Sequence, residues 1–320
     1  MLMLDLTLKA LANGKLSVFL FHKVPGAVDP LVPHDIHLAA FEHLLDTVLS
    51  RFQIIPYDDA VACLGRGTLP PRAACITFDD GYADWLPGIV PALLRRGMHA
   101  TFFITAGQFE GWPLWHERIA HAVRHCAQPV LDLGIPAFPA MRVETLEDKQ
   151  AAVGRLERDL KYLTLEGRNE LLARLEALAG VRIDDVPRMS VADLKEMHRL
   201  GFGIGAHTYE HPILDYCDDA LAAQEIGVVR EILQGLIGVP VNAFAYPNGR
   251  PFVDFSGNHV AIVKRAGYTS AVTTQWGVAS AGSSVFQIPR FTPWGKDPMR
   301  FVLQLGRNLL TSPDRVVEPA

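Results

Sequence analysis

The sequence predicts an α/β protein, a distorted (β/α) barrel of about seven strands carrying a helical insertion. Three observations predict it. Short apolar runs alternate with amphipathic stretches along most of the 320 residues. Polar residues suited to chemistry fall where those apolar runs end. Between residues 108 and 187 the strand rhythm gives way to charged, Ala- and Leu-rich helical patterns, a stretch too long for a bare loop. Residues 1–320 therefore read as a single barrel domain, and 108–187 as an insertion packed on its rim.

The run SVFLF predicts a buried strand over 17–21, and helical spacing of apolar residues follows over 38–50. A strand is expected over 52–55, then a short helix over 58–64 that opens on Asp58 and Asp59, as acidic residues favour a helix N-terminus. Residues 75–78 form the next strand and 87–96 a helix that stops at Gly97, a natural C-cap. TFFIT over 101–105 is another strand. Within the insertion, helices are expected over 117–125, 144–163 and 167–178. Ser190 then caps a helix running to 200. Strands over 202–206, 243–246, 268–272 and 285–288 alternate with helices over 218–236, 258–266 and 298–310, which restores the strand–helix rhythm.

Composition narrows the function. The chain is 49% hydrophobic and 20% charged with a formal net charge of -5, so it has no basic stripe and nucleic acid is not its partner. Cys63, Cys75, Cys126 and Cys217 are scattered without a CxxC pair, which fits reduced thiols better than a disulfide framework. Residues 1–11 are apolar but lack a basic leader, no small-residue cleavage site follows, and no stretch approaches a membrane span. A cytoplasmic protein is expected. Its N-terminal segment is at most weakly amphipathic.

The densest information lies in Thr77-Phe78-Asp79-Asp80-Gly81. Adjacent carboxylates at the end of a buried strand repel each other unless a cation or a shared proton relieves them. His207-Thr208-Tyr209-Glu210-His211 follows another apolar strand and supplies two imidazoles for that cation. One carboxylate with two histidines makes a metal site with open positions, leaving the second carboxylate free to act as a base. An isolated carboxylate pair is often only a turn or helix terminus, but the downstream histidines favour the metal. His99, His116, His121 and His198 are ordinary surface or hydrogen-bonded histidines and receive no role. The glycines between 201 and 205 precede a strand end rather than a helix, so they form no dinucleotide loop. No Gly-x-Ser-x-Gly elbow exists. Tyr246 and Trp276 are candidate substrate-binding aromatics, with Trp294 a further one, although tryptophans near loops often serve as rim packing. Trp112 and Trp115 are weaker candidates.

Taken together, TFDDGY (77–82), ATFF (100–103), GAHTYEHP (205–212) and FAYPNG (244–249) resemble the polysaccharide deacetylases of carbohydrate esterase family 4, the NodB homology domain. FHKV at 21–24 is similar to the Tyr-His-Arg-Val opening of members with an N-terminal extension, in a branch with a YPNG motif. The resemblance implies a NodB-like barrel that hydrolyses N-acetyl groups from amino sugars of an oligo- or polysaccharide. It implies Asp80, His207 and His211 as ligands of a divalent metal, Zn2+ by ligand type, with Asp79 as base and a metal-bound water as nucleophile. The backbone N–H at Asn248 would stabilise the developing oxyanion.

Two motifs depart from the family. Ala245 stands where many relatives have the arginine that orients the catalytic aspartate, and Asn248 stands where they have tyrosine. Arg290, at a late strand end, is the expected substitute partner for Asp79. The late Leu-x-His motif that supplies the general acid is missing, and His22 is expected to fill that role from the other end of the chain. Two alternatives accompany this reading: hydrolysis of a non-sugar C–N bond on the same fold, and a catalytically silent glycan-binding protein.

Overall fold

The computed structural model describes residues 11–33, 35–47, 49–292, 298–312 and 316–318. In chain order the barrel strands and helices begin with β1 (Ser17–Phe21), α1 (Leu38–Thr47), β2 (Gln53–Ile54), α2 (Tyr57–Arg66), β3 (Ala73–Asp80), α3 (Val90–Leu94) and β4 (Thr101–Ile104). The insertion follows with α4 (Trp115–His125), β5 (Val130–Leu131), β6 (Met141–Arg142), α5 (Leu146–Leu160) and α6 (Leu165–Ala179). The chain then returns to the barrel with α7 (Val191–Arg199), β7 (Gly203–Ala206), α8 (Asp219–Ile237), β8 (Ala243–Ala245), α9 (Gly257–Arg265), β9 (Ser270–Val272) and α10 (Pro298–Leu310).

Seven strands form one curled parallel sheet in the order β1-β3-β4-β7-β8-β9, with β2 paired to the start of β3. β3 is the organising strand, and all eight of its residues are buried. Side chains alternate across a strand. Ala74, Ile76 and Phe78 accordingly pack outward against Phe41, Trp85 and Val90 of the helical layer. Ala73 and Cys75 point inward among Val18, Phe103, Val272 and Ile288. The same alternation sends Thr77 and Asp79 to the interior, so Asp79 sits at the top of the column that fills the barrel.

Closure is incomplete. The expected strand over 285–288 is not a ladder strand. Ile288 bridges Val272, and Phe291 bridges Phe19, so 288–291 spans the gap between β9 and β1 by single contacts. Pro289 lies between those bridges and has no N–H to continue a ladder. The helix expected over 87–96 is also shorter. A wide turn over Trp85–Ile89 precedes α3, because Pro87 and Pro91 both lack the donor an α-helix needs. The strand expected over 52–55 contracts to Gln53–Ile54.

The insertion packs around its own apolar cluster, including Ile119, Val123, Leu156, Leu172 and Leu175. It is not purely helical as expected, since β5 and β6 form a small antiparallel pair. Thr145 caps α5 in a reciprocal pairing with Asp148, which sets the start of that helix two residues later than expected. A bidentate ion pair from Arg118 to Glu176, at 2.7 and 3.0 Å, locks α4 to α6. No helix among the described residues is long and apolar enough to cross a membrane.

Gly205 of β7 faces Phe103 of β4 in register. A Cβ there would overlap the Phe103 ring and stand 3.2 Å from the Ala243 carbonyl oxygen. Gly205→Ala is expected to cost about 1–3 kcal/mol through overpacking, seen as a lower urea midpoint with an unchanged far-UV spectrum. An unchanged midpoint would mean that the Phe103 ring can move aside.

Candidate active site

At the C-terminal ends of the strands, where barrel enzymes keep their chemistry, lies an open cavity of about 500 Å³. Its floor holds Asp79, Asp80, His207 and His211, with Asn248 and Thr274 at one side. One wall comes from 20–36, with His22, Lys23 and Asp35, and the opposite wall from the insertion, with Trp115, His116, Glu157, Arg158 and Lys161. The volume falls within the usual range of ligand sites.

Asp79 ends the interior column and meets Arg290. The guanidinium donates to both carboxylate oxygens at 2.6 Å, to the Thr273 carbonyl at 2.9 Å and to Thr77 Oγ1 at 3.4 Å. Arg290 is wholly buried and Asp79 is 1% exposed. The fork–fork geometry fixes the carboxylate plane. Arg290 reaches this point because the segment bridging β9 and β1 passes over the strand end.

Asp80 takes the other direction. Its φ of +91° turns the chain out of the strand. Gly81 follows at φ +104°, and a side chain there would collide with Gln108 Nε2, so glycine is required. Asp80 Oδ1 lies 3.4 Å from Nε2 of both His207 and His211. The ligand atoms of these buried residues all lie within 4.8 Å of one another. His207 Nδ1 is 2.8 Å from the Ala245 carbonyl, which places the proton on Nδ1 and leaves Nε2 to face the cluster. The donor set of one carboxylate oxygen and two imidazole nitrogens fits a divalent cation of the zinc type. His211 Nδ1 faces the Trp115 indole nitrogen at 3.4 Å, a contact too long to set the tautomer.

Charge and burial compete here. Burial opposes ionisation of Asp80, but the hydrogen-bonding His207 and the nearby His211 outweigh it and hold the carboxyl well below its ordinary range. Burial likewise opposes the charged form of His207, yet Asp79 and Asp80 raise its pKa. For His211 burial dominates and lowers the pKa well below the usual imidazole value. The shift favours the neutral ring, the form that can ligate a metal.

His22 follows β1, whose last residue Phe21 is in register with Phe78. Its ring is exposed on the cavity wall. Tyr246 and Trp276 do not line the cavity. Tyr246 is fully buried and stacks on Phe255 with ring centroids 3.9 Å apart, because period-2 alternation carries its side chain into the helical layer. Trp276 packs edge-on against Phe291 at 5.2 Å. The expectation of substrate-binding roles for both is corrected by these positions. Trp294 lies outside the described residues.

The site also contains residues that received no role from the sequence. His116 stands 3.8 Å from Asp80 Oδ2, and its Nε2 is 2.7 Å from the Tyr82 hydroxyl. Lys23 pairs with Glu117 at 2.7 Å across the two walls. Burial raises Glu157 to about 7, with repulsion from Asp35 and Glu117 adding to the effect, and raises Asp35 to about 6 against the attraction of Lys23. Of these, Tyr82 and Lys23 carried a signal, as letters of TFDDGY and FHKV.

Residues 66–128 and 178–271 match the model of the polysaccharide deacetylase family. The chain carries a polysaccharide deacetylase domain. Members of that family are hydrolases acting on carbon–nitrogen bonds other than peptide bonds. Among solved structures, the fold is similar to the Streptococcus pyogenes deacetylase PplD in complex with acetate. That likeness has a TM-score of 0.61 and 16% identity, over 92% of this chain and 98% of that one. IcaB from Ammonifex degensii aligns with a TM-score of 0.58 and 18% identity, over 93% and 98% of the two chains. The BpsB deacetylase domain from Bordetella bronchiseptica aligns with a TM-score of 0.52 and 16% identity, over 87% and 96%. At such identities the likeness speaks for the fold. Among curated proteins none matches the chain.

Replacing Arg290 by methionine leaves the Asp79 carboxylate buried and unpaired. Arg290→Met is expected to cost about 3–5 kcal/mol in denaturant unfolding, and the double variant Asp79→Asn/Arg290→Met should recover much of it. Additive losses in the two single variants would mean that the pair is not coupled.

Proposed function

We propose that this chain hydrolyses N-acetyl groups from amino sugars of an oligo- or polysaccharide. One observation carries the reading: a carboxylate clamped by arginine, Asp79, shares a cavity floor with an Asp–His–His cluster, its Oδ2 3.8 Å from His207 Nε2. Asp80, His207 and His211 would hold a divalent cation, with Zn2+ best matched to their donor atoms. Such an ion, when bound, polarises a carbonyl and acidifies water.

The remaining chemistry belongs to the chain's own side chains. Asp79 accepts a proton from the attacking water as the water oxygen forms its bond to the acetyl carbon. Arg290 keeps the accepting oxygen aimed at the cavity. Negative charge builds on the acetyl oxygen beside Asn248, whose backbone N–H is the proposed donor and whose φ of +57° turns that peptide at the strand end. When the C–N bond breaks, the bonding pair stays on nitrogen and His22 supplies the proton. The products are acetate and a free amino sugar. The polar wall of Lys23, Asp35, Glu157, Arg158 and Lys161 supports a hydroxyl-rich substrate over a small apolar amide.

Asp79→Asn is expected to lower acetate release from chitooligosaccharides about 10²–10⁴-fold while sparing bound metal, whereas Asp80→Ala should lose the metal. Equal metal loss in both variants would contradict this division of roles. A panel of N-acetylated glycans and small amides, assayed for acetate and ammonia, tests the substrate class. Ammonia from a small amide, without acetate from any glycan, would favour the non-sugar reading.

His22→Ala should lower turnover by about 10²-fold or more. Near wild-type turnover at every pH would exclude His22 as the acid.

A further inference from the structure

Two of the three proposed metal ligands sit on one short loop, 207–211, and that loop is strained. Thr208 and His211 have φ values of +63° and +58°, a left-handed region that residues with a Cβ seldom adopt. Such strain persists only where the surroundings over-determine the backbone. Part of the restraint comes from the barrel. Thr105 Oγ1 donates to the His207 carbonyl at 3.1 Å, and Thr208 Oγ1 accepts from the His211 N–H at 3.1 Å. Glu225 of α8 accepts the N–H groups of Tyr209 and Glu210 through one carboxylate oxygen, at 2.9 and 2.8 Å.

The carbonyl side of the loop is held by the insertion. Arg168, in the first turn of α6, donates from Nη1 to the His211 carbonyl at 2.9 Å and from Nη2 to the Glu210 carbonyl at 2.7 Å. Asn169 adds a bond to the Glu210 carboxylate at 2.8 Å. The Arg168 guanidinium also lies over the Trp115 ring, 5.3 Å from its centroid, and the edge of that ring faces His211. Arg168 thus reaches His211 twice, through its carbonyl and through the indole packed beside its imidazole.

Its position is costly. Arg168 is 2% exposed, its Nε has no partner among the described residues, and burial lowers its pKa to about 10. A cation in the first turn of a helix also opposes the helix dipole. A buried charge that hydrogen-bonds carbonyls instead of a carboxylate is weakly compensated. Its reach into the loop is specific, because only the planar fork of arginine spans two successive carbonyls. The residue also falls within 129–177, between the two segments that match the family model.

We infer that Arg168 is a positioning residue for the metal site, through which the insertion holds the His211 backbone so that its imidazole meets Asp80 and His207. The inference rests on the reading of Asp80, His207 and His211 as ligands. It assigns the insertion a part in metal binding in addition to forming a cavity wall.

The test is metal titration of the full chain, with Zn2+ followed by chelator competition and Co2+ followed by its visible absorption. Arg168→Met is expected to weaken Zn2+ affinity about 10–100-fold, the usual effect of removing a group that orients a ligand, and to alter the Co2+ spectrum. Arg168→Lys keeps the charge but loses the fork, so it should show a weakened affinity and an altered spectrum as well. Val153→Ala, which thins the insertion core away from the loop, should lower thermal stability while leaving affinity and spectrum unchanged. Wild-type affinity and spectrum in Arg168→Lys would overturn the inference, even if Arg168→Met fails to fold. Absence of binding in the wild-type chain would instead overturn the ligand reading beneath it.

Discussion

Asp79 and Asp80 are adjacent, and each is under 5% exposed. Two ionised carboxylates cannot share so dry a place unless each has its own positive partner. Strand geometry supplies the separation. Alternation aims Asp79 into the barrel, and the positive φ at Asp80 turns the next carboxylate toward the loop after β7. One carboxylate finds a guanidinium and the other an imidazole cluster. The rest of the site follows from keeping those two partners apart, since a single cation placed between them would leave neither carboxylate oriented.

This requirement also explains why the barrel closes so loosely. A regular strand between β9 and β1 would alternate its side chains strictly, in and out. The segment 288–291 makes only single bridges, to Val272 and Phe19, and Pro289 interrupts any ladder between them. The backbone is therefore free to deliver Arg290 wholly buried against Asp79. Arg290 thus grips both oxygens of Asp79 from the gap between β9 and β1, far along the chain from the strand that carries the aspartate.

Much of this was legible in the sequence, for a local reason. Asp79, Asp80, His207 and His211 lie at strand ends, and a strand end can be read from an apolar run that stops. Arg290 was legible by the same logic. The aromatics were not. Tyr246 and Trp276 also lie near strand ends, but which face an aromatic occupies depends on packing partners such as Phe255 and Phe291, distant in sequence. His116 and Arg168 were illegible for a related reason. Each sits on an amphipathic helix with ordinary spacing, and their roles come from contacts with Asp80 and with the 210–211 carbonyls. Nothing local distinguishes such residues from a solvated helix face. The strand expected over 285–288 failed because a proline-broken bridge and a true strand look alike in a short apolar run.

The two faces of the 207–211 loop show how barrel and insertion divide the work. The turned backbone of this loop presents successive N–H groups to α8 and successive carbonyls to α6. A carboxylate, Glu225, takes the donors from the barrel side, and a guanidinium, Arg168, takes the acceptors from the insertion side. These grips act with the Thr105 and Thr208 hydroxyls to hold the strained φ values at Thr208 and His211. The Arg118–Glu176 pair makes α4 and α6 one rigid unit, so Trp115 and Arg168 approach the loop together. α5, packed on the same apolar cluster, places Glu157 and Arg158 on the cavity wall, with Lys161 directly after it. One packed segment thus combines a fixed contact with the ligand loop and a charged surface facing the cavity. Substitutions on that outer wall could alter what the cavity accepts without disturbing the geometry of its floor.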